Sequence, residues 1–125
     1  MVLIDLGSSS PGTVIPKEIG GSAWLAEGSG PAHSLRFRLE PELVQAWESV
    51  RELPSSDGRT RVNYRFALPE SSDSVPGVAV IVEYLDDWGC LWESRRFVQF
   101  DGGDAVPTRE MTRRIVLLPP KTRVA

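Results

Sequence analysis

Apolar and polar residues alternate along much of segment 75–118, which predicts a series of consecutive β-strands. In residues 78–84 every second side chain is Val or Tyr, the period of a strand. A second alternating run, 88–93, follows Asp86-Asp87, so the two runs predict a hairpin in which Trp88, Cys90 and Trp92 share one face. Two more apolar runs, 97–100 and 114–118, end at the turn-forming segments 101–104 and 119–120.

The region before this segment predicts two more strands and one helix. Residues 35–39 and 60–68 alternate apolar side chains with polar ones, as strands with one solvated face do. Pro41 suits the first position of a helix, and the apolar residues at 43, 44, 47 and 50 recur at helical spacing. A helix of about three turns is therefore predicted near 41–53, ending before Pro54.

Residues 1–33 show no sustained periodicity and carry frequent glycine and proline. A short apolar run at 2–6 could pair as an edge strand, but the scattered apolar residues that follow, such as Trp24 and Leu25, indicate an extended N-terminal arm. The chain is thus expected to have three parts: an arm at 1–33, a β-domain at 34–119 and a basic tail at 120–125.

These elements predict a mainly β fold. Ten prolines and eleven glycines in 125 residues are more than a helical bundle tolerates, and the strands follow one another without intervening helices. We expect an antiparallel β-sandwich or small barrel with one short helix and an extended N-terminal arm. A four-stranded meander packed on the helix is the alternative.

Charge is unevenly distributed along the chain. Residues 1–33 carry one base and three acids, residues 34–106 carry eight bases and thirteen acids, and residues 107–125 carry five bases and one acid, so the three parts have net charges of -2, -5 and +4. The basic end is suited to meet an acidic partner or an acidic patch on a neighbouring subunit. Nucleic acid is an unlikely partner because the whole chain has a net charge of -3.

The single cysteine and the hydropathy pattern bound the cellular context. Cys90 cannot form a disulfide within the chain, and no apolar run reaches the roughly 20 residues that cross a bilayer. We therefore expect a protein that is cytoplasmic on synthesis, that has no membrane partner and that can be incorporated into a virion.

Three groups of residues are candidates for catalysis or metal binding. His33 has no nucleophile motif beside it, and His33 with Cys90 is a poor zinc pair, so neither a triad nor a metal or cofactor is expected. Two acidic loops, Asp86-Asp87 and Asp101 to Asp104, would have to approach each other to bind a cation, although Asp and Gly also form ordinary turns.

Partner contacts are the more strongly indicated role. Trp88 and Trp92 suit either the core or a stacking surface, and their shared face with Cys90 favours the core. Trp24 and Leu25 in the arm, and the basic residues of the C-terminal end, are predicted to contact a partner. Those basic residues are Arg109, Arg113 and Arg114.

The favoured function is a non-enzymatic structural or interaction protein. It is predicted to be a homo-oligomeric accessory subunit of a larger assembly, such as a decoration, connector or tail-completion protein of a virus or phage particle. The alternatives are a soluble monomeric binding module, such as an immunity or adaptor protein, and a small ligand-binding barrel or enzyme that uses the acidic loops.

Overall fold

The computed structural model describes residues 1–48, 52–54, 60–69 and 75–115. Within these ranges the chain forms nine strands and no helix. The strands are β1 (Val2–Ile4), β2 (Ser8–Ser10), β3 (Glu18–Leu25), β4 (His33–Glu40), β5 (Trp47–Glu48), β6 (Val62–Ala67), β7 (Gly77–Leu85), β8 (Leu91–Asp101) and β9 (Asp104–Ile115). The mainly β prediction is confirmed, and every strand pair is antiparallel.

The larger sheet has five strands in the order β5-β4-β7-β8-β9. The predicted hairpin of β7 and β8 is present, with Tyr84 opposite Trp92 and Val82 opposite Ser94. Residues 91–93 of the run predicted at 88–93 and the run predicted separately at 97–100 belong to one continuous strand, β8. The strand after the 101–104 turn, β9, begins ten residues before the predicted run at 114–118, of which residues 116–118 lie outside the described residues.

The smaller sheet is built around β3. One edge of β3 pairs with β1 and then β2, and its other edge pairs with β6. The chain passes from β1 to β2 across Asp5, whose backbone runs close to Gly21: a Cβ at Gly21 would lie 2.1 Å from the Asp5 carbonyl oxygen. Glycine is therefore required at position 21, because any side chain would push the Asp5 backbone away from β3.

The two sheets share one hydrophobic core. Phe37 of β4 stacks on Tyr64 of β6 with ring centroids 5.3 Å apart, and the Val2 amide donates to the Tyr84 hydroxyl at 3.1 Å across the sheets. Burial of one such large side chain contributes about 1.5–3 kcal/mol. The fully or nearly fully buried members include Val2, Ile4, Ile19, Ala23, Leu35, Phe37, Leu39, Val62, Val80 and Val82.

The predicted extended arm is wrong for residues 1–33. This segment contains β1, β2 and β3, and it supplies Val2, Ile4 and Ile19 to the core with no more than 1% of each exposed. Two of the glycines that suggested an arm, Gly20 and Gly21, instead allow close approach between backbones, so they mark tight strand packing here.

The predicted helix near 41–53 is not found in the described part of that range. Trp47–Glu48 pair with Arg36 and Phe37 of β4 as β5, and Leu53 forms an isolated bridge with Ala32. Local helical spacing was overridden by the free edge of β4, which a strand can satisfy and a helix cannot. No strand pairing joins the two sheets into a closed barrel among the described residues, so the sandwich or barrel is not confirmed. The predicted tail at 120–125 lies outside them.

Candidate interaction site

The turn between β7 and β8 is held in shape by one carboxylate. Asp86 Oδ1 accepts hydrogen bonds from the amides of Trp88 and Cys90 at 2.8 and 2.9 Å, and Asp86 Oδ2 accepts one from the Trp92 indole at 2.9 Å. Gly89 completes the turn at φ 79°, a conformation that glycine adopts without steric cost. The Asp86 side chain thus fixes both the turn and the neighbouring indole, a role that the turn-like sequence suggested only in outline.

Trp88 projects from this turn into solvent. It is 89% exposed, the highest value among the exposed large apolar residues of the described chain. The sequence prediction that Trp88 lies in the core is wrong because β8 begins only at Leu91, so the strand alternation does not extend to position 88. Trp92 lies within the strand and packs partly against the core, as predicted.

A small cleft lies beside Trp88. Its volume is about 230 Å³, and the residues that line it include Pro31, Tyr84, Asp87, Trp88 and Trp92. Pockets for small-molecule ligands usually measure about 300–1,000 Å³. The cleft is therefore better matched to part of a protein side chain than to a complete small ligand.

His33 links the turn to two other parts of the chain. Its Nε2 lies 2.6 Å from Asp87 Oδ1, and its Nδ1 lies 3.2 Å from Glu52 Oε1. Ser34 has φ 56°, and the β4 register shifts between His33 and Arg36, which is a bulge that redirects His33. Hydrogen bonds to Asp87 and then to Glu52 raise the pKa of His33 above its usual value. His33 therefore serves as a bridge between carboxylates.

Charged side chains on the outer face of the larger sheet form a closed ring. Arg38 lies 3.6 Å from a carboxylate oxygen of Glu93 and 3.4 Å from one of Glu40. Arg95 bonds to Glu93, and its two terminal nitrogens each lie 3.3 Å from an oxygen of Glu40. Both guanidinium groups, that of Arg95 more than that of Arg38, lower the pKa of Glu40. Ile81 lies between Arg38 and Arg95 in the register and is fully buried.

Arg109 stands apart from this ring on the same sheet face. Its guanidinium lies over the Phe97 ring at 4.8 Å from the centroid, and no carboxylate among the described residues lies within ion-pair distance of it. Met111, two residues further along β9, is 43% exposed. We call Phe97, Arg109 and Met111 the β9 patch. It combines an exposed cation with exposed apolar surface.

The other predicted partner residues have different positions. Trp24 is half-buried on the outer face of the smaller sheet, with the Arg61 guanidinium 4.2 Å from its ring centroid. Leu25 is 5% exposed and lies in the core, which corrects the prediction that it contacts a partner. Its burial follows from the strand alternation of β3, which the sequence did not indicate. Arg113 and Arg114 lie in β9, near the end that faces the Trp88 turn.

The two acidic loops do not approach each other. Asp86-Asp87 precede β8 and Asp101 ends it, and eleven residues of extended chain span about 33 Å. No group of three or more metal-ligating side chains occurs among the residues that the structure describes.

Comparison of the chain with family models, with curated proteins and with solved structures found no match. In the part of the chain that is described, no helix is long and apolar enough to cross a membrane.

Proposed function

We propose that this chain is a non-enzymatic structural or interaction protein that associates with further copies of itself through the Trp88 turn. The carrying observation is the 89% exposure of Trp88 on a turn that the Asp86 carboxylate already fixes. Tryptophan is among the residues that contribute most to protein interfaces, and a turn whose backbone is already fixed loses little conformational entropy on binding. An accessory subunit of a larger assembly, such as a virus or phage particle, is the setting that we propose.

A second copy is the partner that the charge distribution favours. The Trp88 turn carries Asp86 and Asp87, with Glu52 close by, whereas residues 107–125 of the same chain have a net charge of +4. Each copy therefore offers both an acidic and a basic surface, as an assembly of identical subunits requires. We propose that the mainly β two-sheet scaffold is sandwich-like. In its larger sheet the Trp88 turn joins β7 to β8, and the described bases of the basic end, Arg109, Arg113 and Arg114, lie in β9.

Light scattering of the purified chain over a wide range of concentrations tests this proposal. We expect the wild-type mass to exceed that of a monomer at high concentration, and Trp88→Ser to weaken association about thirtyfold, the equivalent of a hot spot of ~2 kcal/mol. Ala67→Ser is the control because Ala67 is an exposed apolar residue on β6 of the smaller sheet, away from the Trp88 turn and from β9. It should associate like the wild type.

A wild-type chain that is monomeric at every concentration, or a Trp88→Ser variant that associates normally, would contradict the proposal. The monomeric outcome would favour the second candidate, a monomeric binding module that offers the cleft beside Trp88 to another protein. The specific observation behind that candidate is the exposed Asp87 carboxylate, which lines the cleft.

A further inference from the structure

We infer that the Trp88 turn of one copy docks on the β9 patch of a second copy, with the Arg109 guanidinium held between the Trp88 and Phe97 rings and paired with Asp87. This inference rests on the proposed self-association and names the surface that receives Trp88. It follows from the contacts and the exposure that Arg109, Asp87 and Trp88 have within a single chain.

Arg109 already makes one of the two ring contacts that the docked arrangement requires. Phe97 supports one face of its guanidinium at 4.8 Å, and the residue is exposed on its other side. Arginine stacks on aromatic rings through its flat faces while its edges remain available for hydrogen bonds to a carboxylate. A tryptophan ring stacked on the open face and a carboxylate bonded to the edge would therefore occupy the remaining contact surfaces of the guanidinium.

The Trp88 turn supplies both missing groups. Asp87 and Trp88 are consecutive residues, so they approach a partner together. Asp87 Oδ1 is bonded to His33, and the side chain is 59% exposed, which leaves its second oxygen accessible to a cation. The indole of Trp88 is free of the Asp86 network, in which only its backbone amide takes part.

The contact cannot form within one chain. Phe97 lies six residues along β8 from Leu91, where the strand leaves the turn, and six residues of strand span about 20 Å. That distance exceeds the reach of two side chains. The groups must therefore meet between copies.

Two other arginines described on this face are already paired. Arg38 and Arg95 are held by Glu40 and Glu93 in the closed ring, so they would have to give up existing partners to bind a new carboxylate. Arg109 would give up no ion-pair partner among the described residues. This difference is what selects Arg109 as the receiving cation.

Charge reversal tests the inference. Asp87→Arg and Arg109→Glu should each weaken self-association about tenfold or more, and the double variant Asp87→Arg/Arg109→Glu should recover most of the loss because the pair is re-formed with opposite orientation. Lys17→Glu is the matched control, since Lys17 is exposed, has no ion-pair partner among the described residues and lies outside both surfaces. It should associate like the wild type.

The milder variants Asp87→Asn and Arg109→Gln guard against local misfolding. The stability of every variant is measured by urea unfolding, and Arg109→Gln should be as stable as the wild type. If Arg109→Glu and Arg109→Gln both associate normally, or if the double variant is as weak as the single ones, the inference is wrong. Loss of association with Trp88→Ser but not with the Arg109 variants would overturn this inference and leave the proposed function standing. A wild-type monomer would overturn both.

Discussion

The two turns at the ends of β8 are both acidic and both contain glycine, yet they are held by different means. In the 101–104 turn two glycines alone connect β8 to β9, and Gly102 adopts φ 61° as short hairpins require. In the 86–90 turn the loop is longer, and the Asp86 carboxylate adds three hydrogen bonds to the two backbone bonds that join Asp86 to Gly89 and to Cys90. An aspartate in a turn can therefore have little structural role, or its hydrogen bonds can determine which side chain the turn exposes.

The largest expected effect is a difference in stability between variants of Asp86 and Asp101, one aspartate from each turn. Asp86→Ala removes the acceptor of three hydrogen bonds and should lower the free energy of unfolding by about 2–3 kcal/mol, because bonds to a charged group contribute more than neutral ones. Asp101→Ala, at an exposed position, should change it by less than about 0.5 kcal/mol. Urea denaturation of both variants measures the difference, and equal effects would show that Asp86 does not fix its turn.

A smaller effect should distinguish the glycines. A Cβ at Gly103 would lie 1.7 Å from the carbonyl oxygen of Gly12, and the Gly12 amide donates to Gly103 O at 3.1 Å. Gly103→Ala should therefore cost about 1–3 kcal/mol, because it separates the turn from the smaller sheet.

Gly89→Ala should cost about 1 kcal/mol, since nothing lies within 4 Å of its Cβ position and only the positive φ opposes alanine. Gly30→Ala, with open space and no positive φ, is the neutral control. Thermal unfolding ranks the three, and a Gly103→Ala variant as stable as Gly30→Ala would show that the turn does not rely on the Gly12 contact.

The smallest effect is a pH dependence confined to the Trp88 turn. Because the folded chain raises the pKa of His33, protonated His33 stabilises the link to Asp87 and Glu52. That contribution is complete below the unfolded pKa of about 6.5 and is lost as the pH rises through the higher folded value. Among the described contacts no histidine pairs with Asp101 or Asp104.

NMR titration of His33 should give an apparent pKa above 6.5, and the stability difference between wild type and His33→Gln should shrink with increasing pH. Asp87→Asn should move the His33 pKa down, since its largest cause is the bond to Asp87. An unshifted His33 pKa in the wild type would contradict the bridge.

Alternation alone determined the strands at which one face is solvated. Residues 35–39, 60–68 and 78–84 were predicted from their patterns and correspond to β4, β6 and β7. In β4 and β6 the buried side chains occupy every second position, and hence the local pattern carries the same information as the fold. β7 alternates in sequence, but it is buried at every position from Val78 to Val82, which only the neighbouring strands decide.

Tertiary structure decided the N-terminal third, the helix and the candidate site. β3 is paired on both edges, and its glycines serve close backbone approach, which a linear pattern cannot distinguish from a flexible arm. The free edge of β4 determined that Trp47–Glu48 form a strand. The site depends on contacts between distant residues, such as His33 with Asp87 and Phe97 with Arg109, and only strand order and register set those distances.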